Sequence, residues 1–168
     1  MLEGSTEDRN TGSVPSFRKC AGYARRMPSA HDVARYILEQ KDEMDTWKLQ
    51  KLVYYSQAWH LVWDSEPLFE ERVEAWANGP VIPELFDKHR GKFKMAKWPE
   101  GNISRLTKSQ RESIEVVLKH YGRRTGWALR EQTHREPPWK DARAGIPVGA
   151  PSNNPITRDA MASYYGSL

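Results

Sequence analysis

The chain has 168 residues, with 26 basic against 22 acidic side chains, a formal net charge of +4 and a single cysteine. That length fits one domain, which can bury roughly two thirds of its unfolded surface without help from a disulfide or a metal. Cys20 stands alone, which excludes an internal disulfide and any paired-cysteine metal site. No apolar run approaches the roughly 18–20 residues of a membrane span, so a soluble protein of the reducing cytoplasm is expected, with no membrane contact.

Residues 1–28 mix Gly, Ser, Pro and charge without a sustained period and read as a flexible extension. The folded part is expected over 29–168. Ser29, with Asp32 three residues on, is the N-cap of a first helix in which Ala30, Val33, Ala34 and Ile37 recur at helical spacing. Asp45 or Thr46 caps a second, whose core is "KLQKLVYYSQAWHL", Lys48 to Leu61. There Leu49, Leu52, Val53, Ser56, His60 and Trp63 form one stripe, and Tyr54, Tyr55, Ala58, Leu61 and Val62 cover most of the rest. Polar character is confined to Gln50, Gln57 and Asp64, spaced by seven, with Lys48 and Lys51. A helix apolar on nearly every side is a buried one.

In "EPLFEERVEAWANGPVIPELFDKH" the alternation at Leu68–Phe69 and Val73–Trp76 is brief, allowing one short β-hairpin near 68–77. Asn78-Gly79-Pro80 reads as a turn, and Pro83 opens a short helix to His89. "TKSQRESIEVVLKHYGRR" is the clearest helix, with a Thr107/Gln110 capping box and Gly122 at its end. Thr125 starts a helix through "GWALREQTH". "REPPWKDARAG" supplies a short helical turn closed by Gly145, and "PVGAPSNNP" reads as loop. Thr157 caps a last helix, stapled by Ile156 and Met161. The expected fold is mainly α: a single-domain bundle of six or seven helices around a buried central one.

Chemistry is scarce. None of the five histidines has a metal-pair spacing, and His60 reads as a hydrogen-bonded core residue. There is no GxSxG elbow and no glycine-rich phosphate loop. No catalytic, metal or cofactor site is expected, and the chain is not expected to be an enzyme. "THREPPW" gathers Thr133, His134, Glu136 and Trp139 where a loop meets a helix start. Two readings stay open there: an acid/base pair or partner hook, or satisfaction of backbone donors by Thr133 and Glu136 with Trp139 docked on the core. The basic run Asp87 to Lys97, with Lys92 and Lys94, could touch phosphates but is more often a solvated loop, so nucleic acid is not an expected partner. Seven tryptophans and seven tyrosines speak for a dense core, a sticky surface, or both. Trp98, beside a proline and near a glycine, is the one expected to be exposed.

Four segments in order, "KLQKLVYYSQAWHL", "EPLFEERVEAWANGPVIPELF", "THREPPWKDAR" and "ITRDAMASYY", together resemble the Panacea domain, the SocA-like antitoxin domain of bacteria, phages and plasmids. The resemblance spans about Ala30 to Tyr165. It implies a non-enzymatic, mainly helical antitoxin that neutralises a cognate toxin, encoded beside it, by direct protein–protein contact. Other roles in the family are a proteolytic adaptor delivering a toxin to a cytoplasmic protease, and prophage-associated proteins of unassigned function. Carried over by motif, Leu49, Leu52, Tyr54, Trp59 and His60 would be structural core. Trp76, Gly79, Pro80, His134, Glu136 and Trp139 are motif or partner-binding candidates, joined by Lys92, Lys94 and Trp98 from the basic loop.

Overall fold

The structure is a computed structural model describing residues 26–168, so most of the expected extension, residues 1–25, lies outside the described residues. Seven α-helices, one 3-10 turn and five short strands make up the described part. Helix α2, Thr46–Asp64, runs through the middle, and α1 (Ala30–Gln40), α4 (Lys108–Tyr121), α5 (Gly126–Arg135) and α7 (Arg158–Tyr165) all pack on it. Two shorter helices, α3 (Pro83–His89) and α6 (Pro137–Ala142), begin on prolines, where the missing N–H is no loss.

The capping signals act as their chemistry dictates. Ser29 and Asp32 close one capping box, and Thr107 and Gln110 close another. Asp45, Thr125 and Thr157 accept from the backbone N–H of Lys48, Ala128 and Ala160. Each such cap is worth about 1 kcal/mol.

Tyr54 and Tyr55 are buried with Leu49, Leu52, Val53 and Ala58, and rings from α4 and α7 close over them. Tyr55 stacks on Tyr121 at 4.2 Å, and Tyr165 meets Tyr54 and Tyr55 edge-on. Fully burying an aliphatic or aromatic side chain contributes about 1.5–3 kcal/mol, so this seam is the main source of cohesion. Of the expected structural residues, Leu49, Leu52, Tyr54 and His60 are buried and Trp59 is partly so. Trp63, expected on the core stripe, is 44% exposed: it stacks on Trp59 at the rim of a groove shared with Val116 and Leu168.

The polar strip of α2 is not a solvated face. Gln50, Lys51 and Gln57 are all buried, and the two glutamines act as sheet edges made of side chains. The amide of Gln57 accepts from Leu68 N and Phe69 N and donates to Phe69 O, while that of Gln50 accepts from Ile82 N and donates to Ile82 O. This is why Leu68–Phe69 forms no strand: its backbone groups are satisfied by a glutamine.

The hairpin lies later than expected. Strand β2 (Val73–Trp76) pairs antiparallel with β3 (Gly79–Val81), in register Trp76↔Gly79 and Glu74↔Val81, so Gly79 and Pro80 are strand residues around an Ala77–Asn78 turn. A third strand, β5 (Pro155–Ile156), adds to the other edge of β2, taking its first residue from the expected loop. Two-residue strands β1 (Met44–Asp45) and β4 (Lys94–Met95) pair separately.

That last pairing and its neighbours settle the basic run. Lys94 is in β4 and approaches Glu43 at 3.9 Å, Lys88 is paired with Glu100, and Arg90 with Asp87. Lys92 gives its carbonyl to Thr46 Oγ1. The acids answering this run come largely from elsewhere in the chain, so its local excess of charge is partly cancelled. Trp98 is not exposed: at 5% exposure it docks under α1, its Nε1 donating to His31 Nδ1 at 3.1 Å. Among the described residues no helix is long and apolar enough to cross a membrane.

Candidate functional site

Three of the recognised sequence segments meet in space. The N-terminal turns of α2, the β2–β3 hairpin and the α5–α6 junction pack on one another, and Lys51 lies where they join. Its stem runs directly beneath Gly79. A Cβ built on Gly79 would stand 2.5 Å from Lys51 Cε and 3.1 Å from Thr133 Oγ1, and the φ of +108° is itself open only to glycine. The Lys51 amine donates to Pro80 O at 3.2 Å and lies 5.5 Å from the Trp47 ring centroid. Burial first, then the Arg130 charge, pull its pKa down to about 7, against a smaller opposing pull from Asp45.

Gly79→Ala is therefore expected to destabilise the domain by about 1–3 kcal/mol through backbone strain and the clash with the Lys51 stem. The check is urea denaturation of Gly79→Ala, Lys51→Ala and the double variant. The double variant should cost less than the sum of the singles, since shortening Lys51 removes the clash but not the strain.

Around this joint the surface is hollowed. One groove of about 530 Å³ is lined by Trp47, Glu74, Trp76, Asn78 and the Gly149–Asn153 loop. A second, of about 300 Å³, is lined by Asp45, Trp47, Lys51, Asn78, Trp127 and Arg130. The two share Trp47 and Asn78. Trp127 is 68% exposed and carries the Arg130 guanidinium 4.9 Å from its ring centroid. Large rings left in contact with solvent beside a cation are the composition of a binding hot spot.

The late motif supports this face from behind. Trp139 Nε1 donates to Trp76 O at 2.9 Å, and His134 stacks on Trp139 at 3.9 Å with planes 6° apart. Burial, followed by Arg130, takes the His134 pKa down to about 4, so its imidazole is neutral at pH 7; its Nε2 is buried without a hydrogen-bond partner among the described residues. Arg143 extends beneath the outer loop, donating to Ala75 O, Pro147 O and Ala150 O.

His134 and Glu136 are not joined as an acid/base pair. The Glu136 carboxylate accepts instead from Tyr55 Oη at 3.0 Å, Tyr165 Oη at 2.5 Å and Gln132 Nε2 at 2.9 Å. The alternative, backbone satisfaction, holds only in part. Trp139 docks as that reading requires, but Thr133 Oγ1 donates to the Arg130 carbonyl instead of accepting from a backbone N–H, and Glu136 serves buried hydroxyls and not the backbone. Burial raises the Glu136 pKa, the tyrosine and glutamine donors opposing the shift.

His60, Ser113 and Asp64 also gather, and their identities suggest a hydrolytic relay. Ser113 Oγ lies 2.9 Å and Asp64 Oδ2 3.7 Å from the same nitrogen, His60 Nδ1. A relay needs the nucleophile and the acid on opposite ring nitrogens, so this cluster ties α4 to α2.

The sequence signal for Lys51 was present in its spacing. On a helix apolar all round, a lysine one turn after Trp47 has no solvated face to occupy. Trp47 and Trp127 were missed because neither falls in a recognised segment.

Residues 49–140 match the family model described as antitoxin SocA-like, Panacea domain. The chain belongs to that family. No curated protein and no solved structure matches it. The matched span of the Panacea domain runs from α2 to α6, so it contains the Lys51 joint, the hairpin and the His134–Trp139 stack. Helices α1 and α7 and strand β5 fall outside it.

Proposed function

We propose that this Panacea domain neutralises a toxin protein by binding it directly across the face formed by Trp47, Trp76, Asn78, Trp127 and Arg130, and that it does so without catalysis. Family membership supports the antitoxin role. The observation that carries the choice of face is the pair of grooves sharing Trp47 and Asn78, built on the joint where the matched segments converge. A stable complex buries about 1,200–2,000 Å², with a few Trp, Tyr or Arg side chains supplying most of the affinity. This face offers such anchors on rigid helix starts and a pinned hairpin. The shared joint fixes the frame, and the exposed Trp127 and the Gly149–Asn153 loop are free to vary with the partner.

The test is co-expression with the product of the adjacent reading frame. The wild-type chain should rescue growth and co-purify with that product. Trp127→Ser, at an exposed position, should keep its thermal midpoint and lose at least tenfold in affinity by calorimetry. A harmless neighbour, or full rescue and unchanged affinity by Trp127→Ser, sinks the proposal. Toxin level on immunoblots separates the modes: sequestration leaves it unchanged, and delivery to a protease lowers it.

A further inference from the structure

Lys51 is wholly buried and, among the described residues, stands within 4 Å of no carboxylate. A buried charge normally has a counter-ion, because removing it from water costs several kcal/mol. Here the amine keeps one carbonyl, Pro80 O, and a position over the face of one indole, 5.5 Å from the Trp47 ring centroid. Gly79 closes over its stem, where even a Cβ would stand 2.5 Å from Lys51 Cε.

The pocket bordering that amine is walled by Trp47 and Trp127 and rimmed by Asn78 and Arg130. Arg130 is already committed, to Glu131 at 2.6 Å and to Asn78 Oδ1 at 3.2 Å. Among the described residues Asp45 is the sole acid lining the pocket, and its Oδ1 accepts from Lys48 N, within α2's own first turn. The N-terminal turns of α2 and α5 also abut here: a Cβ on Gly126 would stand 3.3 Å from Lys48 N. Two positive helix ends and an unmatched ammonium favour an anion at this point. By contrast, the groove lined by Trp59, Trp63, Val116 and Leu168 has no lysine or arginine in its lining.

We propose that the pocket over Lys51 receives an acidic side chain of the partner, a glutamate or aspartate, whose carboxylate meets the Lys51 amine while its methylenes lie between the Trp47 and Trp127 rings. The proposal rests on the reading that a partner docks on this face. It adds the chemistry of the central contact. The charge supplied by the partner is the one the described fold leaves out, and Asn78, exposed and held among the described residues only by Arg130, is the side chain that moves aside to admit it. A carboxylate in place also returns to the amine the proton that burial weakens.

The test needs no partner at first. Hexanoate, hexanamide and inorganic phosphate are titrated into the full chain, following the indole N–H resonances by NMR. Hexanoate should shift the Trp47 and Trp127 signals at millimolar concentration. Hexanamide should bind at least tenfold more weakly and phosphate should leave both unmoved. Lys51→Met should abolish the hexanoate response, and Trp127→Ala, at an exposed site whose loss spares the core, should weaken it several-fold. Equal response to hexanamide, or an unchanged response in Lys51→Met or Trp127→Ala, overturns the proposal. In the co-expression assay, folded Lys51→Met should lose rescue; rescue at wild-type level overturns the proposal and leaves neutralisation standing. Failure of the wild-type chain to neutralise its neighbour, with hexanoate binding intact, removes the toxin reading and leaves the carboxylate pocket in place.

Discussion

Replacing Glu136 by alanine is expected to cost about 3–5 kcal/mol of stability, the largest single effect in the domain. The carboxylate is the common acceptor for two phenols, Tyr55 from α2 and Tyr165 from α7, and it also accepts from Gln132. Removing it leaves those hydroxyls buried with less to donate to, Tyr165 retaining only Tyr54 Oη at 3.2 Å, and opens a void among stacked rings. An unsatisfied buried polar group costs about 1–3 kcal/mol.

Glu136→Gln keeps the shape and one acceptor oxygen, and a phenol can rotate to accept from its amide, so its cost should be about 1 kcal/mol. Urea denaturation at pH 7 separates the two variants, and equal losses would show that the hydroxyl network is not what the carboxylate holds. The site of damage is also specified. Tyr165 lies on α7, outside the matched family span, so hydrogen exchange in Glu136→Ala should rise first at 158–165. A titration adds a sign. The folded carboxyl has a raised pKa, so the native state binds more protons, and stability falls as pH rises from the ordinary carboxyl range through the folded value. Glu136→Gln should lack that fall.

The helices were legible because each carries its own start signal and an apolar period that neighbours could not contradict. Ser29, Asp45, Thr107, Thr125 and Thr157 cap as their spacing indicates. What a local reading could not supply is burial set by partners across the fold. Gln50 and Gln57 are inside because loop backbones 32 and 12 residues away, respectively, need them. Trp98 is inside because His31, distant in sequence, accepts from its indole. The candidate site was half legible. Gly79, Pro80, His134 and Trp139 do converge, as joint and support, whereas Glu136 belongs to the tyrosine seam and Lys92, Lys94 and Trp98 lie elsewhere. The surface proposed for recognition, around Trp47 and Trp127, is set by where two helix starts abut, which no local pattern encodes.

Lys51 should leave a distinct mark on the stability of the folded chain between pH 7 and 9. Its amine titrates at about 7 when folded and near the ordinary lysine value of 10.5 when unfolded. Across that interval the unfolded chain binds the extra proton, so unfolding becomes harder as pH rises. The rise from pH 7 to pH 9 should be about 2 kcal/mol, with little change from this group below pH 6, where both states hold the proton. Lys51→Met carries no such term. Its advantage over the wild-type chain should therefore be greatest on the acid side and shrink by about 2 kcal/mol between pH 7 and 9. Comparing the two chains at each pH cancels every group they share. The alkaline window also avoids His89 and His134, whose pKa values burial lowers first and Lys51 lowers a little further, so that they would shift in the variant. Parallel curves would mean that the buried amine holds its proton as tightly as a solvated one. The uncompensated cation on which the carboxylate pocket depends would then not exist.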